Sequence, residues 1–219
     1  AIYAIIFGPA GFRTPPPVPG ASYVAWLVAG IVPWFFYSEV LNTVTNCLQE
    51  YSYLVKKVVF KVEILPIIKL MVHGFFVLIM LGLYLVTGVT VRVTWLQALY
   101  YTFAASMLAL GIGFFTSAVN VFFKDMAQIV SICIQFGIWM TPIMYHESMF
   151  TDRLPWIGTV LKLNPFYYIA AGYRDSMLTG NWFWERPTLT LYYWGVTIVV
   201  FLVGLKMFKR LRPHFSDVL

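Results

Sequence analysis

Charge is scarce in this chain. Its 219 residues include 15 Lys and Arg and 9 Asp and Glu, 11% of the whole, against about 25% in ordinary soluble domains. That is too little to cover a globule with a solvated surface, which excludes a soluble enzyme and a disordered tail. Cysteine is scarcer still. Cys47 and Cys133 stand far apart and outside any CxxC or CxxxH context, which excludes a disulfide-stapled secreted module and offers no redox pair or metal site. Both read as small apolar fillers. No GxxxxGK[ST] loop is present and no Gly-rich turn opens a helix after a strand, so the chain has no nucleotide site of its own. HExxH, GxSxG and paired catalytic carboxylates are missing too, which leaves no metal and no catalytic residue to assign. The chain starts at Ala1 inside an apolar stretch, with neither Met nor a charged leader. It reads as a fragment whose native start, a cytosolic segment, lies upstream.

Apolar residues supply 60% of the chain and the mean hydropathy is +0.77, the composition of a protein whose solvent is largely lipid. A hydrocarbon core of about 30 Å takes roughly 20 apolar residues per crossing, and on that measure the chain is all-α, a single transmembrane domain over 1–219 with six spans. The first, 1–11, is half a span and reads as truncated. The others fall at 23–45, 64–88, 95–119, 126–145 and 187–208, with Pro33 predicting a kink in the second. Residues 12–22, with Pro15, Pro16, Pro17 and Pro19, read as a loop. Segment 146–186 is broken by Pro155, Asn164, Pro165, Gly172 and Gly180 into two stretches too short to cross. Such stretches are interfacial or re-entrant helices, tolerated at membrane depth where protein or a watery cavity surrounds them.

The net charge of +6 does not point to nucleic acid, because the basic residues lie in short clusters between apolar runs. Lys56, Lys57 and Lys61, then Lys124, then Lys206, Lys209, Arg210 and Arg212 fall on one side. The positive-inside rule places segment 46–63, turn 120–125 and the C-terminus in the cytosol of a multi-pass protein of the cell membrane, with 146–186 facing outward. Inside the spans the ionisable residues are Glu39, Lys69 and His73. Such residues usually face a partner or water. Two readings stand: Glu39 and Lys69 pair at a cytosolic mouth with His73 one turn deeper, or Lys69 snorkels to the interface and Glu39 is hydrated.

Four segments carry a family resemblance. NCLQEYSYLVKKVVFKVEILP (46–66), NVFFKD (120–125), TPIMY (141–145) and NPFYYIAAGYRDSML (164–178) resemble, in order, the joining segment, turn and outer elements of the polysaccharide-exporting ABC permeases, the type-2 exporters. Lys61 replaces that family's usual Pro. TLYYW (190–194) and LRPHFSDVL (211–219) look most like the teichoic acid permeases, with O-antigen and capsular permeases as the alternative.

The resemblance implies a homodimer that docks two ATPase subunits. These bind ATP and Mg, and no cofactor sits on this chain. The implied substrate is an undecaprenyl-diphosphate-linked polymer, moved through a canal across the bilayer. Residues 46–57 are then a coupling helix capped by Asn46, presenting Tyr51 and Leu54 to the ATPase, with Lys56 and Lys57 near its C-terminal dipole. The other reading is a solvated loop whose lysines hold anionic headgroups. Lys124 and Asp125 are either a second coupling contact, with Asp125 capping the next span, or a topological marker. Aromatics make up 19% of the chain. Trp34, Phe36 and Tyr37, beside Pro33, are candidates with Glu39, Lys69 and His73 to line the canal, since flat apolar faces let hydroxylated rings slide, though interfacial aromatic belts are normal in any multispan protein. Pro165, Tyr168, Tyr173 and Arg174 are candidates for an outer gate. Arg174 either meets phosphate, whose oxygens match a guanidinium fork, or pairs with a carboxylate and fixes the gate's fold. An ion-coupled secondary transporter would need inverted repeats and more intramembrane carboxylates, and a membrane-embedded enzyme would need an acid and base pair.

Overall fold

The computed structural model describes residues 23–55, 62–71, 82, 85, 92–147 and 155–218, and every regular element among them is helical. Tyr23–Glu50 is one unbroken 28-residue helix, α1, with Pro33 inside it. After Tyr51 comes the short α2, Ser52–Val55, and residues 64–71 are again helical. A 3-10 turn, Val93–Leu96, leads into α3, Gln97–Phe122. Then follow α4, Met126–Met140, α5, Pro155–Leu163, α6, Pro165–Arg174, α7, Pro187–Leu211, and α8, Phe215–Val218. Pro187 at the first position and Lys209 and Arg210 in the last turn suit the two ends of α7.

Among the described residues three helical stretches are long and apolar enough to cross a membrane: Tyr23–Glu50, Val93–Phe122 and Pro187–His214. At 1.5 Å per residue α1 is about 42 Å long and α4 only about 22 Å. The expected span 126–145 is therefore cut short. Pro142 disfavours the α region for the residue before it, and Thr141 is accordingly extended (φ −98°, ψ 134°). Span 23–45 instead runs five residues longer, which places Asn46 inside α1, where its amide donates to the Asn42 carbonyl at 3.0 Å rather than capping a separate helix. Span 1–11, most of span 64–88, and Lys56, Lys57 and His73 lie outside the described residues.

Helix α3 is central, packed on α1 along one side and α7 along another. Helix α7 buries one stripe, Tyr193, Thr197, Gly204 and Phe208, the spacing of a single helical face. Its other faces leave Leu191, Ile198, Val199, Leu202 and Val203 exposed. Helices α5 and α6 form a hairpin. Asn164 caps α6, its side-chain oxygen accepting from the Phe166 N–H at 3.0 Å, and Pro165 takes the first helical position.

Helix α6 runs antiparallel to α1: Phe166 meets Trp34 and Tyr37 (ring centroids 4.9 Å in both cases), and Arg174 meets Trp26. The hairpin tip thus lies against the middle of α1. At the far end the chain hooks back. Arg212 is ion-paired with Glu63, and Phe215 packs edge-on to Phe208 at 5.5 Å.

Candidate functional site

At the Tyr23 end of the bundle, TPIMY and NPFYYIAAGYRD become one object. The run 141–144 leaves helical geometry beside α6, so the carbonyls of Pro142, Ile143 and Met144 lose intrahelical donors, a costly state for buried backbone unless other donors replace them. Arg174 supplies two. Its Nη1 donates to Pro142 O at 2.7 Å and its Nη2 to Ile143 O at 2.6 Å. Tyr23 donates its hydroxyl to Met144 O at 3.0 Å. The guanidinium also lies 3.6 Å over the Trp26 ring, and Gly30 leaves room for it, since a Cβ there would stand 2.7 Å from Nη2. Arg174 is tied to main-chain carbonyls, not to a carboxylate. The neighbouring Asp175 pairs instead with Arg186 at 3.0 Å, and Tyr167 donates to Glu147 at 2.9 Å. With His146 these side chains line a cavity of ≈ 250 Å³.

Tyr168 and Tyr173 are buried among α3, α6 and α7. The Tyr173 hydroxyl bonds Thr102. Tyr168 bonds Tyr100 at 3.1 Å and accepts from Thr190 at 3.1 Å, with its ring stacked on Tyr193 at 4.8 Å. Gln97 closes the same end, donating to Asn181 O at 3.0 Å and accepting from Phe183 N at 2.8 Å. Of the aromatic candidates on α1, Trp34 and Tyr37 come together with Phe166 and border a second, apolar cavity. Phe36 is buried in the core, 1% exposed.

At the Glu50 end the organising side chain is Asn120, the first residue of NVFFKD. Its amide donates to Thr45 O at 3.1 Å, its side-chain oxygen accepts from Ala127 N at 3.2 Å, and its own carbonyl accepts from Gln49 at 2.7 Å. Ser131 donates to Asn42 at 3.1 Å one turn further along. The expectation that Asp125 caps the helix after the turn is not met. Asp125 occupies the cap position without a side-chain bond, because Asn120 already reaches the start of α4, and both Lys124 and Asp125 point into solvent. Tyr51 is half-buried and Tyr53 exposed beside it. Leu54 lies in α2.

Lys69 pairs with Glu50 at 2.6 Å and sits 5.0 Å over the Tyr51 ring. Since α1 continues to Glu50, Glu39 stands about 16 Å away along the axis, and the Glu39–Lys69 pair does not form. Asn120→Ala would strip α4 of its cap and leave the Thr45 carbonyl short of its amide donor. We expect a loss of about 2 kcal/mol, measured by thermal unfolding in detergent, with Asp125→Ala nearly neutral.

Known proteins can be set beside this geometry. A family model described as ABC-2 type transporter matches residues 1–178. Two Klebsiella pneumoniae proteins named O-antigen export system permease protein RfbA are each 26% identical over 204 residues. A Myxococcus xanthus protein of the same name is 23% identical over 200 residues. Each comparison covers 90% of this chain and 76% of the relative.

Proposed function

The chain belongs to the ABC-2 type transporter family, and from that premise we propose that it is the membrane-spanning permease of an ATP-driven exporter of an O-antigen-class polysaccharide. The three relatives support that substrate by their names. The teichoic acid reading drawn from 190–194 and 211–219 finds no support in them, so we adopt its alternative. On this reading a partner ATPase binds ATP and Mg and docks at the Glu50 end, on Tyr51, Leu54 and the Lys124–Asp125 turn. That end faces the cytosol. Its closing motion enters α1, α3 and α4 together through Asn120. The α5–α6 hairpin then enters the outer half of the bilayer as a re-entrant pair and shuts the route of a lipid-linked polymer between two copies of the chain.

The observation that carries this reading is the hairpin tip lying against the middle of α1, fastened at the tip by Asn164 to Thr141 and at the other end of α6 by Arg174. A plug at half depth suits a conduit that must stay closed between substrates. The isolated chain should show no saturable ATP hydrolysis, and a soluble ATPase should copurify with it from its own cells. Tyr51→Glu should abolish copurification while membrane insertion is kept. Cells lacking the chain should accumulate lipid-linked polysaccharide on the inner leaflet. Hydrolysis by the pure subunit, or normal surface polysaccharide in its absence, would end this reading.

A further inference from the structure

The buried face of α7 continues past Leu211. Pro213 has no N–H to give the Lys209 carbonyl, and the winding tightens there into a 3-10 turn, Arg212–His214, before α8. Phe215 stands seven residues beyond Phe208, two turns along the same helical face. Both are buried, at 1% and 0% exposure, and their rings meet edge-on. Phe215 also lies 6.1 Å from the Phe122 ring, which prolongs that buried face onto the end of α3.

Two of the segments singled out above converge on this place. Val121 and Phe122 belong to NVFFKD, and Cys47, Leu48, Val62 and Leu65 belong to 46–66. Val121 and those four residues share one buried cluster with Phe208 and Phe215. Arg212 is ion-paired with Glu63, at the start of the helical run 64–71. Further along that run Lys69 pairs with Glu50 of α1. The run is therefore strapped to α7 on one side and to α1 on the other. The Asn120 bonds join α1, α3 and α4, and segment 212–218 adds α7 and the run 64–71 to the same assembly.

On the reading that an ATPase docks at the Glu50 end, we propose that segment 212–218 is a positioning element for that contact, with Phe215 and Arg212 holding the 46–66 segment and the NVFFKD turn in one register. The two residues do different work. Burial of Phe215 is non-directional and gives adhesion. The ion pair selects which turn of the connecting run faces α7, since charge pairing fixes register more than it adds affinity. Its side chains are 43% and 27% exposed, and a pair so open to solvent contributes little to stability. Breaking it should therefore misplace the docking surface without unfolding the chain.

The full chain is purified with the ATPase it retains, and each variant is scored for ATPase retained per chain, for thermal midpoint in detergent and for surface polysaccharide on its cells. Arg212→Glu should lower retention and surface polysaccharide about fivefold with the midpoint unchanged. Glu63→Arg should do the same, and the double variant, which restores the pair in reverse, should regain at least half of both. Arg210→Glu, an equal change of charge at an exposed site two residues away, should retain the ATPase. Phe215→Ala should lower the midpoint and the retention together. The proposal fails if Arg212→Glu retains ATPase like wild type, or if Arg210→Glu loses it equally, since net charge alone would then be at work. It fails too if the double variant shows no recovery, because Arg212 would then meet the ATPase itself. A wild-type chain that retains no ATPase would overturn the docking reading first, and this proposal with it.

Discussion

Replacing Arg174 with alanine should cost about 3–5 kcal/mol, the cost of two unsatisfied carbonyls plus a cation–π contact. The two carbonyls, of Pro142 and Ile143, would lose the side-chain donors that hold them. The expected result is a large drop in thermal midpoint in detergent and new protease cleavage between 141 and 147. Arg174→Lys keeps the charge but has no planar fork to span two adjacent carbonyls, so it should recover less than half of the loss. Gly30→Ala should reproduce a milder version, because its methyl group would occupy the place of Nη2. An Arg174→Ala protein that unfolds like wild type would show that the 141–144 turn is held by something other than this side chain.

The second large effect is expected where α3 crosses α7. A Cβ at Gly204 would stand 2.0 Å from the Gly111 carbonyl oxygen, and one at Gly111 would stand 2.9 Å from the Phe201 Cα. Both obstacles are backbone, so no rotamer change relieves them and the helices must part. Gly204→Ala should therefore destabilise by about 3 kcal/mol, the upper end of overpacking costs, despite the roughly 1 kcal/mol that Ala gains over Gly in a helix. Gly195→Ala, on the same helix with open space around it, isolates the propensity gain and should be neutral or stabilising. Unfolding in detergent followed by circular dichroism reads both variants, and equal midpoints for the two would refute the close crossing.

Much of the outline was legible from hydropathy alone, because α1, α3 and α7 are long apolar runs ended by polar clusters. The two short helices in 146–186 were legible from Pro and Gly punctuation. Segment boundaries were less so. Asn46 looked like a start signal, but a helix already under way can carry an Asn that bonds back to the carbonyl four residues before it. Asp125 looked like a cap because it has the right chemistry one residue before α4. Nothing local shows that Asn120, from the preceding helix, reaches that position first.

The signal that could have found Asn120 is a carboxamide at the end of a long apolar run, where burial demands partners. Gln97 follows the same rule at the other end of α3. The Glu39–Lys69 pairing failed on register, since α1 runs on past residue 45 and presents Glu50, three helical turns beyond Glu39, to Lys69. The tie between Arg174 and TPI had no local cue either. Two motifs 32 residues apart meet only because α6 folds back along α1.

That tie sets an order of events during synthesis. The 141–144 turn emerges long before its donor does, since Arg174 follows Pro142 by 32 residues. At about 5–20 residues per second the ribosome needs roughly 2–6 s to close that gap. For those seconds α4 has been made but the carbonyls of Pro142 and Ile143 after it lack the guanidinium that will hold them. The turn therefore cannot reach its final bonded form until α6 has been made and has folded back along α1, so the shape of the chain just after α4 waits on a residue not yet translated.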